Sequence, residues 1–278
     1  MSAKLMTLLQ RALLYLILGM GAVVMLGPLV WMFLATFKTE AELLTFPPAF
    51  LPQDLSFENY RYIFNALPLF PRYIFNSAFV TTSLICLNVF FDALAAFAFA
   101  KLEFPGRDKI FLLFMIALLL PFQIVLIPLF RLMSVLQWLD TYWALIIPGA
   151  TSAFGIFLLR QYMRSLPNEL LDAARMDGAS DFAAFWHIYF PLSRPALATL
   201  AIFTFMSSWN DFLWPLVATS SDSMRTLTVG VTMLQGKNEM HWSWLITAAF
   251  ISLVPIIVFY IFMQRHFVEG LTAGAVKG

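Results

Sequence analysis

The chain has 278 residues, 61% of them apolar and only 12% charged, with a formal net charge of +1. Soluble domains run at roughly 45–50% apolar and about 25% charged, so this composition defines a membrane protein. A balance so near neutrality, without basic patches, excludes a nucleic-acid partner, and the lone Cys86 excludes an internal disulfide and is expected as a small buried hydrophobe.

A membrane-spanning helix needs about 20 apolar residues. Six stretches qualify, at about 12–37, 73–100, 110–130, 142–160, 195–218 and 244–263, which predicts an all-α, polytopic membrane protein forming one domain over residues 1–278. The first stretch is too long for a signal-peptide core and lacks a small-residue cleavage site, so it reads as a retained helix. Pro28, Pro121, Pro128, Pro148 and Pro255 are expected to kink the spans, since neighbouring groups can re-satisfy the freed backbone. No repeat or low-complexity tract divides the chain.

After the first span, residues 38–72 are rich in proline and aromatics, and Ser56 can cap a short helix through Tyr60 and Phe64. In the second span Asn88 and Asp92 lie four apart, hence on one helix face, with Asp92 about 13 Å from Lys101 at 1.5 Å per residue and so near mid-membrane. Such groups are costly in hydrocarbon. They either line a solute path or bond neighbouring helices, and Asp92 is expected to be protonated or paired.

Between the fourth and fifth spans lies a polar island over residues 164–191. Pro167 suits a first helical position, Asn168 and Glu169 suit the first turn, and Gly178 suits a left-handed C-terminal cap. Ser180 can cap a second helix, with Asp181 in its first turn, running through Phe182, Phe185 and Trp186 until Pro191 stops it. Leu170, Ala173, Ala174 and Asp177 fall on or near one face. Two short helices on a glycine corner make a rigid knob. Acids (Glu169, Asp172, Asp177, Asp181) balance bases (Arg160, Arg164, Arg175, Arg194), which favours a protein-docking role over a lysine-rich helix lying on the bilayer.

In the fifth span Ser207, Asn210, Asp211 and Trp214 form a polar stripe roughly 24 Å beyond Arg194 by helical rise. Amide and carboxylate groups beside an indole suit the hydroxyls and weakly apolar ring face of a sugar, and interhelical bonding is the alternative. Residues 219–243, with Lys237, Asn238 and Glu239, are polar enough to sit in water. An N-terminus inside leaves eleven lysines and arginines on the cytoplasmic side against six outside, so both termini are expected in the cytoplasm.

The chain has no phosphate loop: beside Gly236-Lys237, Val231 and Asn238 stand where glycine and serine or threonine belong. His187, His241 and His266 lack metal-ligand spacing, and no nucleophile–base pair is visible, so neither an enzyme nor a metal site is expected.

Asp172-Ala173-Ala174, three residues, Gly178, nine residues, then Ile188-x-Phe190-Pro191 resembles the EAA loop of ABC importer permeases, with Asp172 for the usual glutamate and Phe190 for the usual leucine. The closing stretch Phe267–Gly278, with Phe104-Pro105-Gly106-Arg107 and Trp209-Asn210-Asp211-Phe212, is similar to MalG-like carbohydrate permeases. The resemblance implies a permease subunit of a binding-protein-dependent importer for a sugar or oligosaccharide, multi-pass in a bacterial or archaeal cytoplasmic (inner) membrane.

Its implied partners are a second, MalF-like permease, two ATPase subunits that bind ATP and Mg, an external solute-binding protein and membrane lipid, with no cofactor in this chain. Glu169, Asp172, Ala173, Ala174, Asp177, Gly178, Ile188 and Pro191 are implied to couple to the ATPase. In the tail 264–278, otherwise read as disordered, Gly270, Leu271, Thr272 and Lys277 are implied to contact it. The nearest alternative is the same machine for a polyol or glycerol phosphate. A secondary transporter is a more distant one, kept open by Asp92 and Asp211.

Overall fold

A computed structural model describes residues 3–234 and 241–275, and among these only helices, turns and loops form. The chain divides into two compact units, one of residues 1–70 with 231–254 and one of 71–230 with 255–278.

The first unit contains α1 (Ala3–Ala35), α2 (Glu40–Leu43) and α3 (Glu58–Ala66). The most apolar window within Gln10–Ala35 of α1 buries none of its residues within the chain, although Ala35 at the end of the helix is buried, so the partners of that window are lipid or another subunit. Thr39 caps α2, whereas Ser56 is not the cap of α3: its Oγ accepts the Glu58 N–H at 3.2 Å from one residue before the N-cap position, which Phe57 holds without a side-chain bond. Asn59 Nδ2 donates to the carbonyls of Thr36 and Lys38, and the ring of Tyr62 stacks on Trp244 at 3.4 Å, which fixes this loop.

The second unit begins with α4 (Phe70–Lys101), continuous across the predicted second span. The predicted third span is two helices, α5 (Arg107–Ala117) and α6 (Phe122–Val135), bent by 100°. Pro121 causes the break: it lacks an N–H, disfavours helix for Leu120, and itself adopts an extended conformation (ψ 134) ahead of α6. The fourth span is likewise interrupted, with α7 (Tyr142–Ile146), a 3-10 turn over Ile147–Gly149 and α8 (Ala153–Arg164).

The polar island folds as α9 (Glu169–Met176) and α10 (Asp181–Ala184), continued by a π-turn Phe185–Tyr189 and α11 (Phe190–Leu192). Pro191 does not stop this helix, because it sits in the first turn of α11, where its missing N–H costs least. The chain then turns 78° into α12 (Arg194–Trp209).

The predicted fifth span breaks again before α13 (Leu213–Ala218), because Asn210 Nδ2 bonds back to the Met206 carbonyl at 2.7 Å and competes with the helical ladder. In the segment 219–243 Ser220, Asp222 and Ser223 are exposed as expected, but the stretch that follows them is buried: α14 (Leu227–Thr232) hides Leu227 and Val229, and a Cβ on Gly230 would lie 2.2 Å from the Tyr73 ring. Lys237, Asn238 and Glu239 lie outside the described residues. Finally α15 (Trp242–Ala275) has one part in each unit, and the predicted tail from 264 continues this helix to Ala275 rather than forming disordered chain.

Among the described residues four helices are long and apolar enough to cross a membrane, or up to six if each bent pair, α5 with α6 and Asp181–Leu192 with α12, is one span. Cys86 is exposed on α4 rather than buried, since a spanning helix is apolar on its lipid side as well as its protein side.

Candidate coupling helix and solute cavity

The knob is built as its residues dictate. Ser180 Oγ accepts the Ala183 N–H at 3.2 Å and starts α10, and Gly178 has φ +82, a left-handed conformation that glycine adopts without a Cβ penalty. Pro167 lies just before α9 rather than in its first turn: Asn168 holds the N-cap position and turns its side chain to Lys101 instead of capping. Across the corner Arg175 pairs with Asp181 at 2.9 Å.

One face of the knob is buried and the other is free. Leu171, Ala174, Ala184, Phe185 and Tyr189 pack with Ala93, Ala96 and Phe97 of α4, Leu159 and Met163 of α8, and Ala196, Leu197 and Leu200 of α12. Glu169, Asp172, Ala173, Asp177 and Gly178 point outward, joined by Met176 (88% exposed), Phe182 and Trp186. Ile188 and Pro191 are half-buried. Of the eight predicted coupling residues only Ala174 belongs wholly to the inner face. Leu171 is buried beside Ala174, while Leu170 is half-buried.

The knob is also tied by hydrogen bonds. Lys101 Nζ, at the end of α4, donates to the Leu166 carbonyl at 2.6 Å and to Asn168 Oδ1 at 2.7 Å, and lies 5.3 Å from the Tyr189 ring centroid. The Tyr189 hydroxyl donates to the Pro167 carbonyl at 3.1 Å. Neither tie was expected from sequence.

Within the same unit a cavity of about 550 Å³ opens between α4, α6, α8, α12 and α13. Asn88, Ser207, Asp211 and Trp214 line it, with the hydroxyls of Thr151, Ser152, Thr204 and Ser208 and the rings of Phe122, Phe154 and Phe203. Asn210 does not, because the break after Trp209 carries its amide back onto Met206. Asp92 does not either. Its carboxylate lies behind the lining and holds Ser152, whose hydroxyl caps α8 by accepting the Gly155 N–H at 2.9 Å.

Asn88 serves two ends, since its amide donates to the Gly149 carbonyl at 2.7 Å while the residue borders the cavity. Trp214 Nε1 donates to the Ala144 carbonyl at 2.8 Å, so the indole is fixed between α13 and α7. The Asp211 carboxylate faces the backbone N–H groups of Phe212, Leu213 and Trp214, which open α13. Among the described residues no lysine, arginine or histidine lines the cavity.

Missed at the level of sequence were Thr151, Ser152, Thr204, Ser208 and above all Gly155. A Cβ on Gly155 would lie 2.0 Å from Asp92 Oδ2 and 2.8 Å from Leu200 Cδ1, so α8 approaches α4 and α12 only because this residue has no side chain. In the C-terminal stretch Gly270, Leu271 and Thr272 fall within α15, and Lys277 lies outside the described residues.

Broken membrane helices around a cavity of aromatic rings and hydroxyls, joined through one core to an exposed helical knob, define the membrane subunit of a solute transporter. Residues 93–272 match the family described as binding-protein-dependent transport system inner membrane component, and the chain belongs to that family. It is 39% identical over 253 residues to the arabinooligosaccharides transport system permease protein AraQ of Halalkalibacterium halodurans, covering 90% of this chain and 91% of that protein.

It is 32% identical over 265 residues to the sn-glycerol-3-phosphate transport system permease protein UgpE of Yersinia enterocolitica, covering 92% and 94%. Its fold matches, with a TM-score of 0.82 and 26% identity over 96% of this chain and 99% of the other, a chain from the crystal structure of a bacterial ABC transporter that imports the acidic polysaccharide alginate. The chain is thus a multi-pass membrane permease of the ABC importer type, as the EAA-like spacing implied.

Proposed function

We propose that this chain is the MalG-like permease of an importer for a neutral sugar or oligosaccharide. Its partners are a second, MalF-like permease, two ATPase subunits that hold ATP and Mg, and an external solute-binding protein. The supporting observation is mechanical. Leu200 belongs both to the core that seats the knob and to the wall of the cavity, so the knob cannot shift as a body without displacing that wall.

In this reading the ATPase grips the exposed side of α9 and α10, through Glu169, Asp172, Ala173, Asp177 and Gly178 with Met176 and Phe182 at the rim. Closure of the ATPase pair moves the knob and exchanges inward-open for outward-open arrangements of the spans. The α15 residues Gly270, Leu271 and Thr272, with Lys277, form a second contact with the ATPase pair. Both termini lie in the cytoplasm.

Solute chemistry follows from the cavity lining. Hydroxyls, one amide and aromatic rings match a polyhydroxylated solute with apolar ring faces. One carboxylate and, among the described residues, no cation disfavour an anionic one. Among the solutes of its relatives, arabinooligosaccharides fit better than glycerol 3-phosphate.

The test is uptake by the complete importer in proteoliposomes, with competition by neutral oligosaccharides and by glycerol 3-phosphate. ATP-dependent uptake blocked only by neutral competitors supports the assignment. Blocking by glycerol phosphate alone refutes the choice of solute, and gradient-driven uptake by this chain without any ATPase refutes the importer itself.

A further inference from the structure

A second cavity, of about 480 Å³, lies at the Lys101 end of α4 and takes no part in the solute cavity. Arg107, Asp108, Arg160, Arg164 and Asn168 line it. Three guanidinium groups thus converge beside a single carboxylate. Arg160 is the fixed member: 7% exposed, its Nε donates to the Phe99 carbonyl at 3.1 Å and its guanidinium lies 3.8 Å from the Phe111 ring centroid.

The carboxylate does little to neutralise it. Asp108 meets Arg160 at 3.4 Å with a side chain 72% exposed, and it also serves Arg107 at 3.4 Å. Arg164 has no carboxylate within ion-pair distance among the described residues. A buried cation needs a close counter-charge, and cations gathered together repel, so the cavity is built for an anion. Guanidinium forks match phosphate oxygens two at a time.

The position indicates where such a phosphate comes from. Arg107 opens α5 and Arg164 closes α8, so the cavity sits where spans end and headgroups begin. Beyond it Ile110 and Leu113, one and two turns along α5, are 42% and 65% exposed and offer an apolar track away from the arginines. A free phosphate has no use for that track, whereas an acyl chain does.

We propose that Arg107, Arg160 and Arg164 form a phosphate site that holds the headgroup of an anionic phospholipid against α5. A lipid held there bridges the end of α8 and Asn168, the residue from which α9 starts, so lipid charge reaches the knob.

The test uses the full chain, with its partner subunits, in nanodiscs of phosphatidylcholine with or without phosphatidylglycerol, partly delipidated and read by native mass spectrometry. Arg107→Gln and Arg164→Gln leave the buried Arg160 intact, and melting in pure phosphatidylcholine checks their folding. The wild type is expected to retain phosphatidylglycerol over phosphatidylcholine by about tenfold or more, and each variant to lose most of that preference at unchanged melting temperature.

Inorganic phosphate is the second probe. If millimolar phosphate alone stabilises the wild type in phosphatidylcholine, and neither variant, the phosphate site stands and its occupant is a soluble anion. Equal retention of both lipids without a phosphate effect overturns the proposal, as when an acidic side chain of a partner fills the cavity. A phosphatidylglycerol preference that survives both substitutions overturns it as well.

Discussion

Asp92 grips Ser152 with both carboxylate oxygens, Oδ1 accepting the backbone N–H at 3.0 Å and Oδ2 the hydroxyl at 2.9 Å. The two residues are sixty positions apart and belong to different spans. Ser152 lines the cavity and caps α8, while Asp92 is fully buried behind it. The carboxylate is therefore interhelical glue that fixes one cavity wall, and Asn88 does the same through Gly149 one turn away.

This arrangement separates two substitutions at Asp92. Asparagine keeps an oxygen for the Ser152 N–H, whereas alanine leaves both Ser152 donors without their partner at a half-buried site, at a cost of about 1 kcal/mol. In detergent melts Asp92→Ala is expected to lose several degrees and Asp92→Asn much less, with solute affinity of the surviving transporter unchanged. A selective loss of solute affinity in Asp92→Asn would instead make the residue a solute contact.

Gly155 is the sharper test of the same junction. A methyl group there would stand 2.0 Å from Asp92 Oδ2, 2.7 Å from Ser152 Oγ and 2.8 Å from Leu200 Cδ1, all in packed surroundings. Gly155→Ala is expected to cut folded yield severely, because neither helix can retreat without opening the core. Gly178→Ala meets no atom within 4 Å and suffers only its positive φ, about 1–2 kcal/mol. Size-exclusion yield of the two variants side by side checks the contrast, and equal yields would refute it.

What the sequence exposes, and what it hides, follows from the range of each interaction. Gly178 and Ser180 are legible because a left-handed corner and a helix cap depend on a few adjacent residues. The apolar spans are legible because bilayer thickness sets their length. The 100° bend at residues 118–121 is only half legible: Pro121 marks the break, but packing against Trp214, whose ring meets Phe122 edge-on at 6.3 Å, helps to set the angle. Gly155 is silent in sequence because its reason is Asp92, on another helix. Asn210 misleads because a stripe drawn on an ideal helix assumes the helix continues, and the amide itself helps to end it.

A pH dependence is expected at the opposite end of the bundle. Burial raises the Asp140 pKa, but the backbone N–H groups of Ser221 and Ser220 and the Ser221 hydroxyl outweigh it and hold the carboxyl below the usual range. A group whose folded pKa is lowered stabilises at pH above its unfolded value, about 3.9, and loses that contribution as pH falls through the folded value. Hydrogen exchange in residues 218–224 should therefore stay flat from pH 8 to about 5, after correction for intrinsic rates, and accelerate only below about 4. Asp140→Ala should expose the loop at every pH, and a transition near neutrality in the wild type would contradict the assignment.

In the proposed coupling, Lys101 is where transmission can be severed without dismantling the fold. Its ammonium ties the end of α4 to Leu166 and Asn168, the residues from which the knob departs, while the apolar core beneath is held separately by Phe97, Phe185 and Tyr189. Lys101→Met keeps the stem packed and removes two charge-assisted bonds, each worth about 1.5–3 kcal/mol. Assembly with the ATPase is expected to survive, because the exposed face of α9 and α10 is untouched. Stimulation of ATP hydrolysis by the solute-loaded binding protein should fall at least about tenfold, since the loss of even one such bond from the coupling corresponds to roughly 10- to 150-fold. Arginine at this position retains charge and reach and should restore part of the response. Full stimulation in Lys101→Met would show that the core alone carries motion from knob to cavity.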